Sequence, residues 1–206
     1  HSLKEITIPS SIKRIEAYTF SKCACLKKVS IPSSVCLIAG YAFQSCDSLE
    51  YISITSYAKI MGIFALEECY SIRYIDILSL KSIKSRIFSE CSSLIKITIP
   101  SSIKSIGRYV FYHCASLKQI SFEKPSSLES IDENAFDECS SLTQITIPSW
   151  VNSIKENAFR HCESLKHVFF ETPSLLKSIE NKAFLGCSSL ENIEIPPSVS
   201  VICQYA

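Results

Sequence analysis

The sequence predicts an α/β repeat solenoid: short parallel strands stacked on one face, joined by short helical or irregular turns on the other. Three observations carry this reading. Eight cysteines recur at one phase, an aromatic stands three residues before nearly all of them, aliphatics follow at three and six residues, and Ile or Phe follows at eight. Cys23, Cys46, Cys69, Cys91, Cys114, Cys139, Cys162 and Cys187 are separated by 23, 23, 22, 23, 25, 23 and 25 residues. A fixed period of that size marks units that bury their apolar faces only by stacking on one another.

The strand comes first in each unit. Leu26, Val29 and Ile31, like Leu94, Ile97 and Ile99, alternate with polar residues, which gives a short strand with one buried face. Proline follows directly at Pro9, Pro32, Pro100, Pro148 and Pro196; it removes a backbone donor and ends the strand. An aliphatic pair at spacing three comes next, as in Ile12 and Ile15 or Ile103 and Ile106. With the aromatic five residues on, it suits an irregular return leg and a short helical turn. Phe20, Phe43, Leu66, Phe88, Phe111, Phe136, Phe159 and Phe184 fill that aromatic slot, and one shared phase predicts a buried spine. Leu3 begins the first copy and Leu190 the last. Residues 1–206 therefore read as a single solenoid domain of eight full 22–25-residue repeats plus a truncated ninth. At about 4.8 Å per strand, nine strands make a rod roughly 40 Å long.

Length changes fall in one region of the unit. The two 25-residue copies carry extra residues after the strand, at Glu123-Lys124-Pro125 and Glu171-Thr172-Pro173, and the 22-residue copy drops one near Leu78. Loops can swell where stacked core positions cannot shift. The third and fourth copies depart further: Thr55 and Leu78 replace proline, and Met61 and Leu66 stand where Ile and Phe are expected, so local irregularity is expected there.

Composition excludes several functions. With 21 Lys+Arg against 20 Asp+Glu, the net charge is +1, which argues against a nucleic-acid partner. Hydrophobic residues make up 47% and charged residues 20%, enough for a folded core. No apolar run reaches the ~18 residues of a membrane span. The chain begins at His1 with no apolar leader behind it, so its native start and any address are expected upstream. Only four glycines are present, Gly40, Gly62, Gly107 and Gly186, far apart and in no phosphate-binding pattern.

No constellation of catalytic residues emerges, and no cofactor is expected. Eight thiols strung one per turn along a rod do not converge as zinc ligands do; as small hydrophobes they are expected to be buried. Cys25, Cys36 and Cys203 fall outside the ladder and are candidates for exposed thiols or a disulfide. His113 and His161 each precede a ladder cysteine, but adjacent side chains point apart, so a His-Cys dyad is not expected. Serines sit in Pro-Ser-Ser turns and Cys-Ser-Ser-Leu segments, where they cap backbone. Asp132, Glu133, Asp137 and Glu138 read as a solvated convex face.

The variable strand positions are the informative ones. By alternation, two columns point away from the core. The first runs Glu5, Lys28, Tyr51, Tyr74, Lys96, Gln119, Gln144, His167, Asn192; the second runs Thr7, Ser30, Ser53, Asp76, Thr98, Ser121, Thr146, Phe169, Glu194. Tyr51 and Tyr74, flanked by Lys28, Arg73 and Lys96, have the composition of a protein-binding hot spot. His167 and Phe169 add a second aromatic position. An ordinary sheet surface also favours Tyr and Thr. Residues 1–103 carry net +4 and residues 104–206 net −3, a dipolar rod.

The pattern resembles the BspA-like (Treponema pallidum-type) subclass of leucine-rich repeats, whose unit reads I-P-x-x-[IV]-x-x-I-x-x-x-A-F before a Cys or Asn. Ile99-Pro100-Ser101-Ser102-Ile103-Lys104-Ser105-Ile106 and Asn157-Ala158-Phe159-Arg160-His161-Cys162 match it. The resemblance implies a parallel sheet on a concave face and no enzymatic activity. It further implies a cell-surface or secreted adhesin or surface antigen that binds host or matrix proteins. An intracellular scaffold or regulatory protein on the same fold is the alternative. Self-association end to end through uncapped repeats is a further expectation.

Overall fold

The computed structural model describes residues 3–54 and 60–206. The predicted strands form, as β1 (Glu5–Thr7), β3 (Lys28–Ile31), β5 (Tyr51–Ile54), β7 (Tyr74–Ile75), β8 (Lys96–Ile99), β10 (Gln119–Phe122), β12 (Gln144–Ile147), β14 (His167–Phe170) and β16 (Asn192–Ile193). They pair in parallel and in register, Lys28 beside Tyr51, Tyr51 beside Tyr74 and Tyr74 beside Lys96. β1, β3, β5, β7, β8 and β10 form one six-stranded sheet, and β12, β14 and β16 form another. Among the described residues no ladder pairing joins β10 to β12, where the first two-residue insertion lies.

The return side corrects the expectation of helical or irregular turns. No helix occurs among the described residues. Instead, two-residue parallel strands line it: β2 (Arg14–Ile15), β4 (Leu37–Ile38), β6 (Ile60–Met61), β9 (Ser105–Ile106), β11 (Ser130–Ile131), β13 (Ser153–Ile154), β15 (Ser178–Ile179) and β17 (Val201–Ile202). They form two ladders, β2–β4–β6 and β9–β11–β13–β15–β17, with the break at the 22-residue unit. The chain is thus a parallel β-solenoid rather than an α/β one. Leu78, in place of proline, is exposed at that unit; the substitution at Thr55 lies outside the described residues.

The reason for the missing helix is backbone conformation. Two residues per turn, two before and two after the aromatic slot, adopt φ near +60°, as at Tyr18 and Lys22, Tyr41 and Ser45, and Asn157 and His161. A left-handed residue interrupts any run of right-handed turns. It also swings backbone N–H groups toward the next unit: Phe20 and Lys22 donate to the carbonyls of Ala42 and Gln44, Phe43 and Ser45 to those of Ala65 and Glu67. These inter-unit bonds offset strain that L-residues otherwise avoid. The scarcity of glycine therefore does not mean a chain without left-handed positions; Gly186 alone fills such a slot with glycine's freedom.

The core is the predicted spine. Phe43, Phe88, Phe111, Phe136 and Phe159 are fully buried. Their rings stack at 5.1–5.5 Å along the rod, from Phe20–Phe43 and again from Phe88 to Phe184. Leu66 fills the gap between the two runs.

Candidate functional site

The strand columns deliver the outward side chains where alternation placed them. β3, β5, β8 and β12 bury Val29, Ile31, Ile52, Ile54, Ile97, Ile99, Ile145 and Ile147, and so turn their polar neighbours to solvent. Tyr51 and Tyr74 are 52% and 48% exposed on adjacent strands. The Lys96 ammonium lies 5.6 Å from the centroid of the Tyr74 ring, in cation–π range. Lys28 stands beside Tyr51 in the ladder, and Arg73 is exposed at the entrance to β7.

A groove of about 700 Å³ crosses this region, lined by Tyr51, Tyr74, Asp76, Leu78, Lys96 and Gln119 among others. Ser53, Thr98 and Ser121 give it hydroxyls. Asp76 Oδ1 accepts the Leu78 N–H at 2.9 Å, and Leu78 stands 49% exposed at the wall.

His167 and Phe169 occupy a separate place. Both lie on β14, with ring centroids 5.9 Å apart, and Phe169 is 51% exposed. They line a second groove of about 530 Å³ walled by Pro173, Pro196 and Pro197, with Glu194 at its edge. β10 and β12 intervene, so Lys96 and His167 stand three strand spacings apart, about 14 Å. The seven sequence-selected residues therefore form two patches, one basic and tyrosine-rich, the other aromatic and proline-walled.

The ladder thiols serve the fold. Cys46, Cys69, Cys91, Cys114, Cys139 and Cys162 are buried, whereas Cys23 and Cys187, in the outer units, are half-buried. Each from Cys46 to Cys187 donates its S–H to the backbone carbonyl of the aromatic-slot residue one unit back, at 3.1–3.2 Å, for example Cys114 to Phe88 and Cys139 to Phe111. His113 therefore forms no dyad with Cys114; its Nδ1 lies 3.5 Å from Glu138 Oε2. Burial pushes the Cys46 and Cys91 thiols up to about 12. Cys25 and Cys36 are exposed, and the eleven cysteines are free thiols. Among the described residues no group of three His, Cys, Asp or Glu side chains is placed to hold a metal ion. Among the described residues no helix is long and apolar enough to cross a membrane.

The return side holds a feature absent from the sequence reading. Tyr18, Tyr41 and Phe64 stack at 4.8 and 4.6 Å, and the Arg86 guanidinium lies over both Phe64 and Tyr109. These residues share the left-handed slot two before the spine aromatic. The recurrence of aromatics at that offset was the signal available for finding them.

This architecture is shared with solved proteins. A leucine-rich cell-surface protein from Faecalibacterium prausnitzii A2-165 is 27% identical over 98% of this chain, with a TM-score of 0.79. The Treponema pallidum leucine-rich repeat protein is 23% identical over 92%, with a TM-score of 0.63, and one from Eubacterium ventriosum is 21% identical over 98%, at 0.70. The chain spans 66%, 79% and 63% of their respective lengths. No curated protein matches it. The family model described as the BspA type leucine rich repeat region, in six copies, matches residues 1–118 and 105–206. With its in-register strand ladder, its aromatic spine and that match along the whole length, the chain belongs to the BspA-type leucine-rich repeat family.

Proposed function

We propose that this chain is a non-enzymatic protein-binding module of a cell-surface or secreted adhesin or surface antigen, and that it engages host or matrix proteins through its concave sheet. The observation that carries this reading is the pair Tyr51 and Tyr74, in register, half exposed, and set in a groove that Lys96 lines, with Lys28 next to Tyr51 in the ladder and Arg73 exposed just before Tyr74. Tyrosine brings large contact area at low entropy cost. A repeat scaffold varies its outward columns from unit to unit without disturbing its core. The surface location is supported by the cell-surface protein from F. prausnitzii, of which this chain spans 66%.

The test is capture from a host matrix extract and a cytosolic extract by the same immobilised chain, followed by affinity measurement for the captured protein. Tyr51→Ala/Tyr74→Ala should weaken that affinity by more than about 1 kcal/mol per tyrosine. Glu133→Ala, on the convex side and paired there with Arg108, should leave it unchanged. The opposite pattern would move the site to the other face, and capture from cytosol alone would move the protein to another compartment.

A further inference from the structure

The concave sheet carries a charge pattern that specifies its partner's chemistry. Lys4, Lys28, Arg73, Lys96 and Lys118 are exposed at the N-terminal ends of β1, β3, β7, β8 and β10. Among the described residues none of the five is in an ion pair; on the return side Arg14, Arg86, Lys104, Arg108, Lys155 and Arg160 are each paired with an acid, whereas Lys13, Lys22, Lys84, Lys177 and Lys182 are scattered there without one. Of the nearby acids, Glu50 is paired with Lys27 and Asp76 is turned to the Leu78 backbone; Glu5 stands beside Lys28 at the first strand. Further along, Lys166 is paired with Glu191, so the unpaired strip ends at Lys118. Unpaired like charges along one edge focus potential and attract the opposite sign.

We infer, on the basis of the concave-face reading above, that this strip and the adjoining groove take an extended acidic peptide segment of the partner protein. Its carboxylates would lie along Lys28, Arg73 and Lys96, and an apolar side chain would sit between Tyr51, Tyr74 and Leu78. Lys28 to Lys96 spans three strand spacings, about 14 Å, which four or five extended residues cover at roughly 3.3 Å each. The exposed aliphatic wall at Leu78 favours a peptide side chain over a sugar, whose contacts are ring faces and hydroxyls.

The experiment uses a fluorescein-labelled dodecapeptide of alternating Glu and Leu, a matched peptide of alternating Lys and Leu, and heparin as competitor. The acidic peptide should bind wild type, weaken as salt rises, and lose at least tenfold in affinity on Lys28→Glu/Arg73→Glu/Lys96→Glu and on Tyr51→Ala/Tyr74→Ala. Unchanged melting temperatures would show that these surface variants fold. No binding of the acidic peptide up to millimolar concentration overturns the inference. Preference for the Lys peptide, still lost in the tyrosine variant, overturns the acidic assignment while leaving the concave face standing. Loss on charge reversal but not in the tyrosine variant, with heparin binding just as tightly, assigns the strip to a sulfated polysaccharide and overturns the peptide class. Binding unaffected by any concave variant overturns both readings.

Discussion

Each ladder cysteine is small enough for a crowded turn and still supplies a donor there. From Cys46 to Cys187 its S–H reaches the carbonyl of the preceding unit's aromatic slot, as a second donor beside the backbone N–H that the same oxygen accepts within its own unit, as Phe111 O does from Cys114. The six buried thiols, Cys46, Cys69, Cys91, Cys114, Cys139 and Cys162, should resist a thiol reagent at pH 8 in the native chain, while Cys25 and Cys36 react at once; mass spectrometry of the labelled protein reads this. Their titration also sets a limit at alkaline pH. Above the usual value of 9.0 the unfolded chain releases the Cys91 proton, and the folded chain keeps it until about 12. Stability is therefore complete below pH 9 and falls as pH rises, by about 1.4 kcal/mol per unit for each such thiol. In urea titrations from pH 8 to 11, Cys91→Ala should show a correspondingly shallower decline. The spine offers a sharper test. Phe136 is fully buried between Phe111 and Phe159, and Phe136→Ala should cost about 3–5 kcal/mol by equilibrium denaturation.

At the scale of elements, the two insertion loops do more than absorb length. Glu123 and Glu171 reach back to accept the backbone N–H of Ser101 and Ser149 at 3.0 and 3.2 Å. Lys124 also lies 2.9 Å from Glu171, and with that partner holds the Glu171 carboxylate below its ordinary range. The stability this carboxylate adds is present at neutral pH and lost as pH falls through its lowered value. Glu171→Gln should cost about 1 kcal/mol at pH 7 and less at pH 3, read by urea denaturation. Strands and insertion sites were legible because alternation and proline act within a few residues of chain. The return ladder was not. Its two-residue strands are too short for a periodic signal, and they form through bonds between units, such as those from the Cys36 and Ala39 N–H groups to the Lys13 and Ile15 carbonyls. The site was half legible: alternation gave the outward columns, but whether Tyr51, Lys96, His167 and Phe169 share one patch depends on three-dimensional spacing. Only the stacked strands show that they form two.

At the scale of the whole molecule, contacts run from unit to neighbouring unit, so length is modular. Removing residues 96–118 would join Ile95 to Gln119, the residue that already lies beside Lys96 in the ladder. The shortened chain should keep its far-UV circular dichroism per residue and still melt cooperatively, whereas removal of only 96–106 would break the register and unfold it. The Lys124–Glu171 ion pair departs from this nearest-neighbour rule. It leaps from the loop after β10 to the loop after β14, over the very interval where β10 and β12 share no strand pairing. The seam is on the concave side alone, since the β9–β11–β13 ladder and the Phe111–Phe136 stack continue across the same interval. Set on the solvent side, the pair is a clasp over that seam, and its grip is of the kind that dissolved salt loosens.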